Sequence, residues 1–321
     1  MARRVKGLTM KLIVLALSVG APACELQEST IVEVEDVVVA EVYVEIGQGL
    51  LGRNRVYGFL HRTIGGLGAG FHEVEGARLS LTRDDGSVFE FAETALETCV
   101  TSLPVEGTGT CYWLAPSVAA LLVPGEALEL TIALADGGVL RSLAVIPGDF
   151  AVQGVAEGGR CLLPPATPLE VSWSQAANAW AYINETEITG MLAAFALLGI
   201  PVDSDTLALV GLSISSSDTT IVFPGEFGIF NRFELDQAIA TTLQQGLPAG
   251  TRAAVTISAA DRNYVNWVRG GNFNPSGQVR VPSVRGDGTG VFAATVTRTF
   301  EVVVNPDVTG GAYDAPACPV G

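Results

Sequence analysis

Residues 123–147, VPGEALELTIALADGGVLRSLAVIP, contain the pattern that decides the fold. Leucine or isoleucine stands at every second position from Leu128 to Leu134, and apolar residues resume after the sequence DGG at positions 136–138. Successive side chains of a β-strand point to opposite faces of a sheet, and glycine accepts the backbone conformation that a tight turn needs. The stretch therefore predicts a β-hairpin that buries one face.

The same alternation recurs on both sides of this hairpin. Residues 31–46, IVEVEDVVVAEVYVEI, place valines between glutamates, which predicts a strand with one face in the core and the other in water. Residues 78–91, RLSLTRDDGSVFEF, predict a second hairpin with Asp85 and Gly86 in its turn. Short strands at regular spacing, with turns between them, predict an all-β fold made of β-sandwiches.

The sequence predicts two β-sandwich domains behind an N-terminal export segment. Residues 1–23 are interpreted as a signal peptide, and residues 24–30, CELQEST, as a polar tether. The first sandwich is predicted over residues 31–155 and the second over residues 169–321. Residues 156–168 are rich in glycine and proline and are interpreted as the linker between the two domains.

The second predicted sandwich carries signs of short helices as well as strands. Leu169, Val171 and Trp173 alternate at its start, and a buried tryptophan on an early strand is typical of immunoglobulin-like and fibronectin type III domains. The apolar run Met191–Ile200 is too short to span a bilayer and predicts a short helix. A further short helix is predicted to end at Gly246.

The N-terminal residues indicate export from the cytoplasm. Four basic residues precede or border the apolar run 12–21, and Ala21 and Ala23 stand where signal peptidases require small residues. The run has about half of the ~20 residues that a membrane span needs, so it predicts a removed signal. Cys24 would be the first mature residue. Either it carries a lipid, which predicts an outer-membrane lipoprotein of the cell envelope, or it is only the terminus left by the ordinary signal peptidase.

Cysteine parity supports lipidation. The chain has five cysteines, and four are left if Cys24 carries a lipid: Cys99, Cys111, Cys161 and Cys318. An even number in an exported chain favours disulfides, although four cysteines allow three pairings. A Cys99–Cys111 bond would clip one loop, and a Cys161–Cys318 bond would tie the start of the second domain to its end.

The predicted mature protein is strongly acidic. Removing residues 1–23 takes away four of the 18 basic residues and no acidic one, which leaves 14 against 34 and a net charge of −20. Such a charge excludes nucleic acid and anionic lipid surfaces as partners, because both would be repelled. No lysine follows Lys11, which excludes lysine nucleophiles and phosphate-loop lysines.

Several of these segments together resemble a known family. They are the strand VVVAEVYVEI, the hairpin GARLSLTRDDG, the segment CYW, the strand VPGEALELTIALADG and the later segment DGTGVFAA. With a cysteine after the signal peptide, this layout looks like the bacterial outer-membrane lipoproteins grouped as domain of unknown function 4249. Residues 74–132 also resemble the transthyretin-like modules of carboxypeptidases. The family resemblance implies a binding or accessory lipoprotein on the periplasmic or surface side, beside a TonB-dependent uptake receptor, and it supplies no catalytic residue.

Residues 261–273, DRNYVNWVRGGNF, form the candidate binding segment. The segment combines aromatic rings with guanidinium groups and amides, which suit a glycan, a peptide or a partner protein. The candidate binding residues are Arg262, Asn263, Tyr264, Asn266, Trp267, Arg269 and Phe273. In the alternative interpretation, Tyr264 and Trp267 only anchor this loop onto the sandwich, and Arg262 pairs with a nearby acid.

The sequence predicts no catalytic residue, no metal and no cofactor. The two histidines, His61 and His72, would need a third ligand such as Glu73 or Glu75 to hold a metal ion. The expected function is therefore non-catalytic binding in the cell envelope, with the membrane reached through the N-terminal lipid and an envelope protein, glycan or peptide as partner. The alternative is an envelope hydrolase that uses carboxylates, which requires two acids of raised pKa in a cleft.

Overall fold

The computed structural model describes residues 36–48, 54–63, 74–99, 109–224, 236–270, 280–304 and 315–319. The predicted signal peptide, the tether and Cys24 lie outside these ranges and stay predictions. Within them the protein is mostly β-strand, so the predicted all-β class is confirmed. Of the helices in the described ranges, none combines the length and the apolarity that crossing a membrane requires.

The strands are β1 (Val38–Gln48), β2 (Arg55–Arg62), β3 (Arg78–Arg83), β4 (Val88–Glu90), β5 (Ala92–Thr94), β6 (Thr110–Trp113), β7 (Ala127–Ala133), β8 (Val139–Val145), β9 (Arg160–Leu163), β10 (Leu169–Ser172), β11 (Ala181–Thr189), β12 (Thr206–Leu212), β13 (Thr220–Phe223), β14 (Arg252–Ala260), β15 (Arg285–Gly286) and β16 (Thr289–Val304). The α-helices are α1 (Pro116–Ala119), α2 (Met191–Leu197), α3 (Gln237–Gln245) and α4 (Arg262–Arg269). One turn of 3-10 helix spans Leu96–Thr98.

The largest sheet has nine strands and combines both ends of the described chain. Its order is β12-β11-β14-β16-β1-β2-β6-β5, and β9 pairs with β16 outside this row. β16 pairs in parallel with β1 along its first part and in parallel with β9 along its last four residues. Its other edge pairs antiparallel with β14. β16 is therefore the strand that joins the early and late segments of the chain.

The predicted boundary at residues 156–168 does not separate two sheets. The segment contains β9, which pairs with β16, and the nine-stranded sheet draws strands from both sides of the boundary. Glycine and proline mark turns, but they do not prevent a four-residue strand between them. Two smaller sheets accompany the large one, a five-stranded sheet of order β15-β8-β7-β3-β4 and the pair β10-β13.

The two faces of the nine-stranded sheet differ in chemistry. On β1, Val42 and Val44 are fully buried in a hydrophobic core shared with Leu79 and Leu130 of the five-stranded sheet and with Trp173. We call this side the core face. Glu41, Tyr43 and Glu45 alternate with these residues and point to the opposite side, which we call the polar face. The core of the protein thus lies between the core face and the smaller sheets.

Two glycines allow the backbone to lie close to neighbouring strands where the chain passes from the five-stranded sheet into β16. Gly286 has a φ of 125°, and a Cβ atom there would lie 2.1 Å from the carbonyl oxygen of Val139. Gly290 has a φ of 139°, and a Cβ atom there would lie 1.9 Å from the carbonyl oxygen of Ala40. Neither position accepts a side chain. Glycine therefore lets the backbone of residues 286–290 lie directly against the backbones of Val139 and Ala40, which holds the two sheets together.

Local predictions from the sequence are largely confirmed. The two predicted hairpins are β3–β4 and β7–β8, and their turns contain Gly86 and Gly137 with positive φ. The apolar run that begins at Met191 forms α2, and α3 ends before Gly246. Both predicted disulfides are present: Cys99 bonds Cys111, and Cys161 bonds Cys318.

Candidate functional site

Helix α4 lies on the polar face of the nine-stranded sheet. It begins directly after β14, where Oδ1 of Asp261 accepts a hydrogen bond from the backbone N–H of Tyr264 at 2.8 Å. Asn263 donates through Nδ2 to the carbonyl oxygens of Leu143, at 2.7 Å, and Phe292, at 2.9 Å. The segment predicted as a loop is therefore a helix, and its first turn is fixed to both the five-stranded and the nine-stranded sheet.

Both candidate arginines, Arg262 and Arg269, make contacts within the protein. The guanidinium carbon of Arg262 lies 5.0 Å from the ring centroid of Trp180, a cation–π distance. Arg269 donates through Nη2 to the carbonyl oxygens of Ser213, at 3.3 Å, and Ile214, at 2.7 Å. Arg269 therefore holds the end of α4 against the segment that follows β12.

Trp267 stacks with a neighbouring cation. The guanidinium carbon of Arg280 lies 4.7 Å from the Trp267 ring centroid. Nη1 of Arg280 lies 3.7 Å from Oε1 of Glu41. Asn266 is half-buried on the same helix, and Phe273 lies outside the described residues. With Asn263 bonded to two carbonyls, the structure places several candidates in anchoring positions. Arg262 lies over Trp180, whereas the alternative interpretation pairs it with a nearby acid.

Tyr264 reaches from α4 into the centre of the polar face. Its ring centroid lies 6.1 Å from that of Tyr43 in an edge-to-face arrangement, and Tyr43 lies 5.5 Å from Tyr57. Aromatic pairs at such distances stabilise each other beyond their buried area. Within the described part of the chain, the hydroxyls of Tyr43 and Tyr264 have no hydrogen-bond partner. The helix thus completes a row of three phenol rings across β1 and β2.

Glu45 and Arg55 form the charged end of this row. The hydroxyl of Tyr57 donates to Oε1 of Glu45 at 3.2 Å, and Nη1 of Arg55 lies 3.8 Å from Oε2 of Glu45. The guanidinium carbon of Arg55 also lies 4.1 Å from the Tyr57 ring centroid and 5.8 Å from that of Trp113. Its Nη2 donates to the carbonyl oxygen of Thr98 at 2.7 Å. Arg55 therefore contacts a carboxylate, two aromatic rings and a backbone carbonyl of the protein.

Glu185 is the second acid of the polar face. It lies on β11, opposite Thr256 of β14 and Val210 of β12. Its charge raises the pKa of Tyr264 and of Glu45. Glu185 is exposed, and among the described residues it has no hydrogen-bond or ion-pair partner.

Hydroxyl groups fill the sheet surface between these acids. Ser258 pairs with Thr297 at 2.9 Å, and Thr256 pairs with Thr299 at 3.1 Å, each across β14 and β16. Thr295 is buried beside them and pairs in the sheet with Glu45. Under α4 the same face is apolar, because Val265 packs in a second hydrophobic cluster with Ala181, Ile183 and Ala260. The polar face therefore combines hydroxyls that bond to each other with an apolar patch under the helix.

Burial dominates the electrostatics of the polar face. Desolvation raises the pKa of Glu45 and of Glu185, and the charge of Glu185 raises that of Glu45 further. Desolvation also raises the pKa values of Tyr43, Tyr57 and Tyr264. The side chain of Glu45 is nevertheless 39% exposed to solvent. We name the half-buried acids and phenols of this face together with the exposed Glu185 the groove; its members are Glu41, Tyr43, Glu45, Tyr57, Glu185 and Tyr264.

Asp261 has an unusual protonation equilibrium for a helix N-cap. Desolvation raises its pKa to about 7, although hydrogen bonds from the backbone N–H groups of Tyr264, Ala294 and Asn263 act in the opposite direction. Only 4% of the residue is exposed. The start of α4 therefore changes charge near neutral pH.

A second depression, of about 820 Å³, lies where the chain passes into β16. Its acids are bonded within the protein: Asp36 lies 3.4 Å from Arg62, and Asp287 accepts from the backbone N–H of Val139 at 2.8 Å. Asp136 accepts from the backbone N–H of Gly138 at 3.0 Å. Each of these three carboxylates already has a partner within the protein, so the groove on the polar face is the stronger candidate site.

The sequence reasoning missed most of the groove. It assigned Glu41, Tyr43 and Glu45 to a wetted strand face, but the structure leaves them half-buried near α4. A signal for the helix was present: Asp261 as N-cap, apolar Tyr264, Val265 and Val268 at helical spacing, and glycine after Arg269. An amphipathic helix next to polar strand residues could have indicated a covered polar face.

The groove offers carboxylates, phenols and hydroxyls, a set that can bind polar ligands or exchange protons. Within the described residues, no group of three or more histidine, cysteine, aspartate or glutamate side chains could hold a metal ion, and His72 lies outside them. In comparisons with known proteins, the chain matches no family model and no curated protein, so the resemblance to domain of unknown function 4249 stays a prediction.

Proposed function

We propose that the protein is a non-catalytic binding lipoprotein of the cell envelope that takes its ligand in the groove of the polar face. The observation that carries the proposal is the position of Tyr264, which α4 places edge-to-face against Tyr43, in a row of phenol rings that ends at Tyr57. Desolvated polar groups that keep no protein partner are typical of binding sites, because a ligand supplies the missing contacts.

The two disulfides support the part of the proposal that concerns location. Cys99–Cys111 and Cys161–Cys318 use four of the five cysteines and leave Cys24. Disulfides persist in exported proteins and are rare in reducing compartments. A role beside a TonB-dependent uptake system rests only on the family resemblance and is part of the same proposal.

Two experiments test this function. Labelling cells with radioactive palmitate should mark the wild-type protein and not the Cys24→Ala variant, and an unlabelled wild type would refute the lipid anchor. Glycan and peptide arrays should find a ligand whose binding is lost in Tyr264→Leu and kept in Glu170→Gln, which changes an exposed acid on β10. Equal binding by Tyr264→Leu would place the site elsewhere.

A second candidate function is a hydrolase that uses carboxylates. It is favoured by the raised pKa of Glu45 and Glu185 and by the effect of one charge on the other. Paired acids with separated pKa values serve as general acid and base in glycoside hydrolysis. The test is turnover of chromogenic glycosides between pH 4 and 8, with Glu45→Gln and Glu185→Gln expected to abolish it. Absence of turnover by the wild type would reject this candidate.

A further inference from the structure

Strand β12 forms one end of the nine-stranded sheet, and one of its edges has no neighbour among the described residues. β11 pairs with its other edge, and of the described helices and strands only β11 packs along it. The strand has seven residues, TLALVGL, with no charged residue and no proline. Proteins usually protect an exposed sheet edge with a short strand, with charges or with proline, because an open edge pairs with other chains. β12 lacks all three protections.

The other terminal strands of the two larger sheets are protected in this way. The nine-stranded sheet ends on its far side at β5, which has three exposed residues with Glu93 in the centre. The five-stranded sheet ends at β4, three residues that include Glu90, and at β15, two residues that include Arg285. Of these four terminal strands, β12 is therefore the longest and the one without a charge.

The pairing with β11 shows which backbone groups of β12 point to the open edge. The backbone N–H of Ser213 donates to the carbonyl oxygen of Tyr182 at 2.8 Å, so Ser213 faces β11. In an antiparallel pair, residues bonded to the neighbouring strand alternate with residues whose N–H and C=O groups point away from it. The residues that point away are Thr206, Ala208, Val210 and Leu212.

Most of these outward groups have no partner. The N–H of Thr206 donates to Oγ of Ser204 at 3.1 Å. Within the described ranges, the N–H groups of Ala208, Val210 and Leu212 have no hydrogen-bond acceptor. The open edge thus presents three free donors, with carbonyl oxygens between them, at the spacing of a β-ladder.

We propose that this edge pairs with the same edge of a second copy of the protein, so that two nine-stranded sheets join across a twofold axis. An extended strand repeats donors and acceptors at the spacing that a sheet edge offers, which is why edges bind strands. Two copies related by a twofold axis present identical edges, and each contact between them then occurs twice. The inference concerns residues outside the groove and does not depend on the proposed function.

One register pairs every outward residue of the two edges. With Leu209 on the twofold axis, Ala208 of one copy lies opposite Val210 of the other, and Thr206 lies opposite Leu212. Each of these pairs occurs twice and exchanges two hydrogen bonds, which gives about six to eight bonds between the copies. A shift by two residues in either direction leaves outward groups of β12 without a partner in the other strand. The centred register is therefore the preferred one.

The side chains that meet in this register are compatible. Opposite residues in an antiparallel pair lie on the same face, and here alanine meets valine, threonine meets leucine, and leucine meets glycine or a second leucine. Asp205, the acid that directly precedes the strand, comes opposite Ser213 and not opposite another acid. A chain of net charge −16 repels its own copies, so two copies approach best through an uncharged edge.

Exposed apolar side chains flank the same edge. Leu197 at the end of α2 and Ile214 directly after β12 are each 86% exposed, the highest value among the large apolar residues of the described ranges. The centred register brings Ile214 close to Asp205 of the other copy, whose Oδ1 accepts from the backbone N–H of Leu192 on α2 at 3.0 Å. Leu192 is exposed as well. Pairing would therefore bury apolar surface beside the hydrogen bonds, which adds to the stability of the dimer.

Sedimentation equilibrium of the full mature chain tests the pairing. Cys24→Ala is included so that neither a lipid nor a free thiol joins the copies. The average mass should rise from that of one chain towards that of two as the protein concentration is raised. Ala208→Pro should weaken this association about tenfold or more, because each dimer loses two hydrogen bonds. Ala208→Val keeps the N–H group and is the matched control, which should associate as the wild type does.

The proline variant should keep the fold. Proline is found on edge strands where its position would direct an N–H group to solvent, and the side chain of Ala208 is exposed. Circular dichroism and thermal unfolding verify that Ala208→Pro is folded. If it is not, the decision passes to a cross-linking experiment that uses no proline.

Cysteine cross-linking tests the register directly. Ala208→Cys and Val210→Cys, mixed under oxidising conditions, should form a disulfide between copies, since opposite residues of a bonded antiparallel pair have Cα atoms about 5.5 Å apart. Either variant alone should cross-link much less, because its two cysteines would lie diagonally across the strands, about 7 to 8 Å apart.

Three outcomes would overturn the inference. The first is the mass of a single chain at every concentration. The second is equal association of wild type and folded Ala208→Pro, or equal cross-linking in the mixture and in the single variants, which would place the contact on another surface. The third is protection of the N–H groups of Ala208, Val210 and Leu212 from hydrogen exchange in a monomeric sample, which would show that another segment of the chain covers the edge. Ligand binding in the groove is predicted whichever outcome is found.

Discussion

The core face and the polar face of the nine-stranded sheet are built by the same strands but do different work. On β1, Val42 and Val44 are fully buried in the hydrophobic core, while Tyr43 and Glu45, which alternate with them, are half-buried. Apolar burial stabilises the fold by about 25 cal/mol per Å². Burial of carboxylates and phenols does the reverse unless partners compensate. The comparison indicates that the core face stabilises the fold, whereas burial of the carboxylates and phenols on the polar face costs free energy that a bound ligand can offset.

Each face also has its own disulfide. Cys161 pairs in the sheet with Val302 on the core face, and its partner Cys318 belongs to the same hydrophobic core. Cys111 lies opposite Phe59, on the side of Tyr57 and Trp113, and its partner Cys99 follows Thr98, whose carbonyl holds Arg55. The two bonds therefore allow the faces to be weakened separately.

Removing the Cys161–Cys318 bond should give the largest effect. The bond closes a sequence separation of 157 residues, against 12 for Cys99–Cys111. Loop-closure entropy then predicts losses of about 5 and about 3 kcal/mol in the free energy of unfolding for the paired Cys→Ala variants. Urea denaturation measures both. We further expect only the Cys99→Ala/Cys111→Ala variant to weaken ligand binding, because it releases the carbonyl that holds Arg55, and binding loss in the other variant alone would contradict the division into faces.

The next largest loss of stability is expected from truncating an aromatic ring on the core face. Phe292 on β16 is fully buried in the hydrophobic core, and Phe292→Ala should lower the free energy of unfolding by about 3 to 5 kcal/mol. The matched change on the polar face is Tyr43→Phe, which removes a hydroxyl that has no partner among the described residues and should cost under about 1 kcal/mol. A loss of similar size in both variants would show that the polar face is as critical for stability as the core.

The sequence predicts local structure well because local structure has a local cause. Alternation from Leu128 to Leu134 and a DGG turn specify the β7–β8 hairpin without reference to the rest of the chain. Cysteine parity and export similarly led to both disulfides. The apolar run that forms α2 was recognised by its length and by the following Gly199.

The long-range pairings could not be predicted in the same way. The alternation of apolar and polar residues indicates which face of a strand is buried, but it does not identify the neighbouring strand. The parallel pairing of β1 with β16 therefore has no signal in the sequence of either segment. The prediction of two domains therefore contained no pairing between these two strands. The groove was missed for the same reason, since Glu45, Tyr264 and Glu185 come from three distant segments that only the sheet order brings together.

The helix that covers part of the polar face should respond to pH through Asp261. Its pKa rises from an ordinary 3.8 to about 7 in the folded protein. Between these values the folded state binds more protons than the unfolded state, so stability is highest near pH 4 and falls as the pH rises to about 7. Asp261→Asn keeps a capping side chain and removes the titration.

The measurement compares the free energy of unfolding of wild type and Asp261→Asn across pH 4 to 8. The wild type should lose stability relative to the variant by up to a few kcal/mol, at about 1.4 kcal/mol per pKa unit. Asp236→Asn, the same change at the exposed N-cap of α3, is the matched control for replacing a capping aspartate. Parallel curves for wild type and Asp261→Asn would exclude a buried titration at the start of α4.

The smallest effect is expected from the hydroxyl pair between Ser258 and Thr297, which lie 2.9 Å apart on the polar face. Thr297→Val or Ser258→Ala alone leaves one hydroxyl without its partner and should cost about 1 kcal/mol or slightly more. The double variant removes both groups and should cost less than the sum of the two single changes, which a double-mutant cycle in urea detects. Additive losses would mean that each hydroxyl bonds elsewhere.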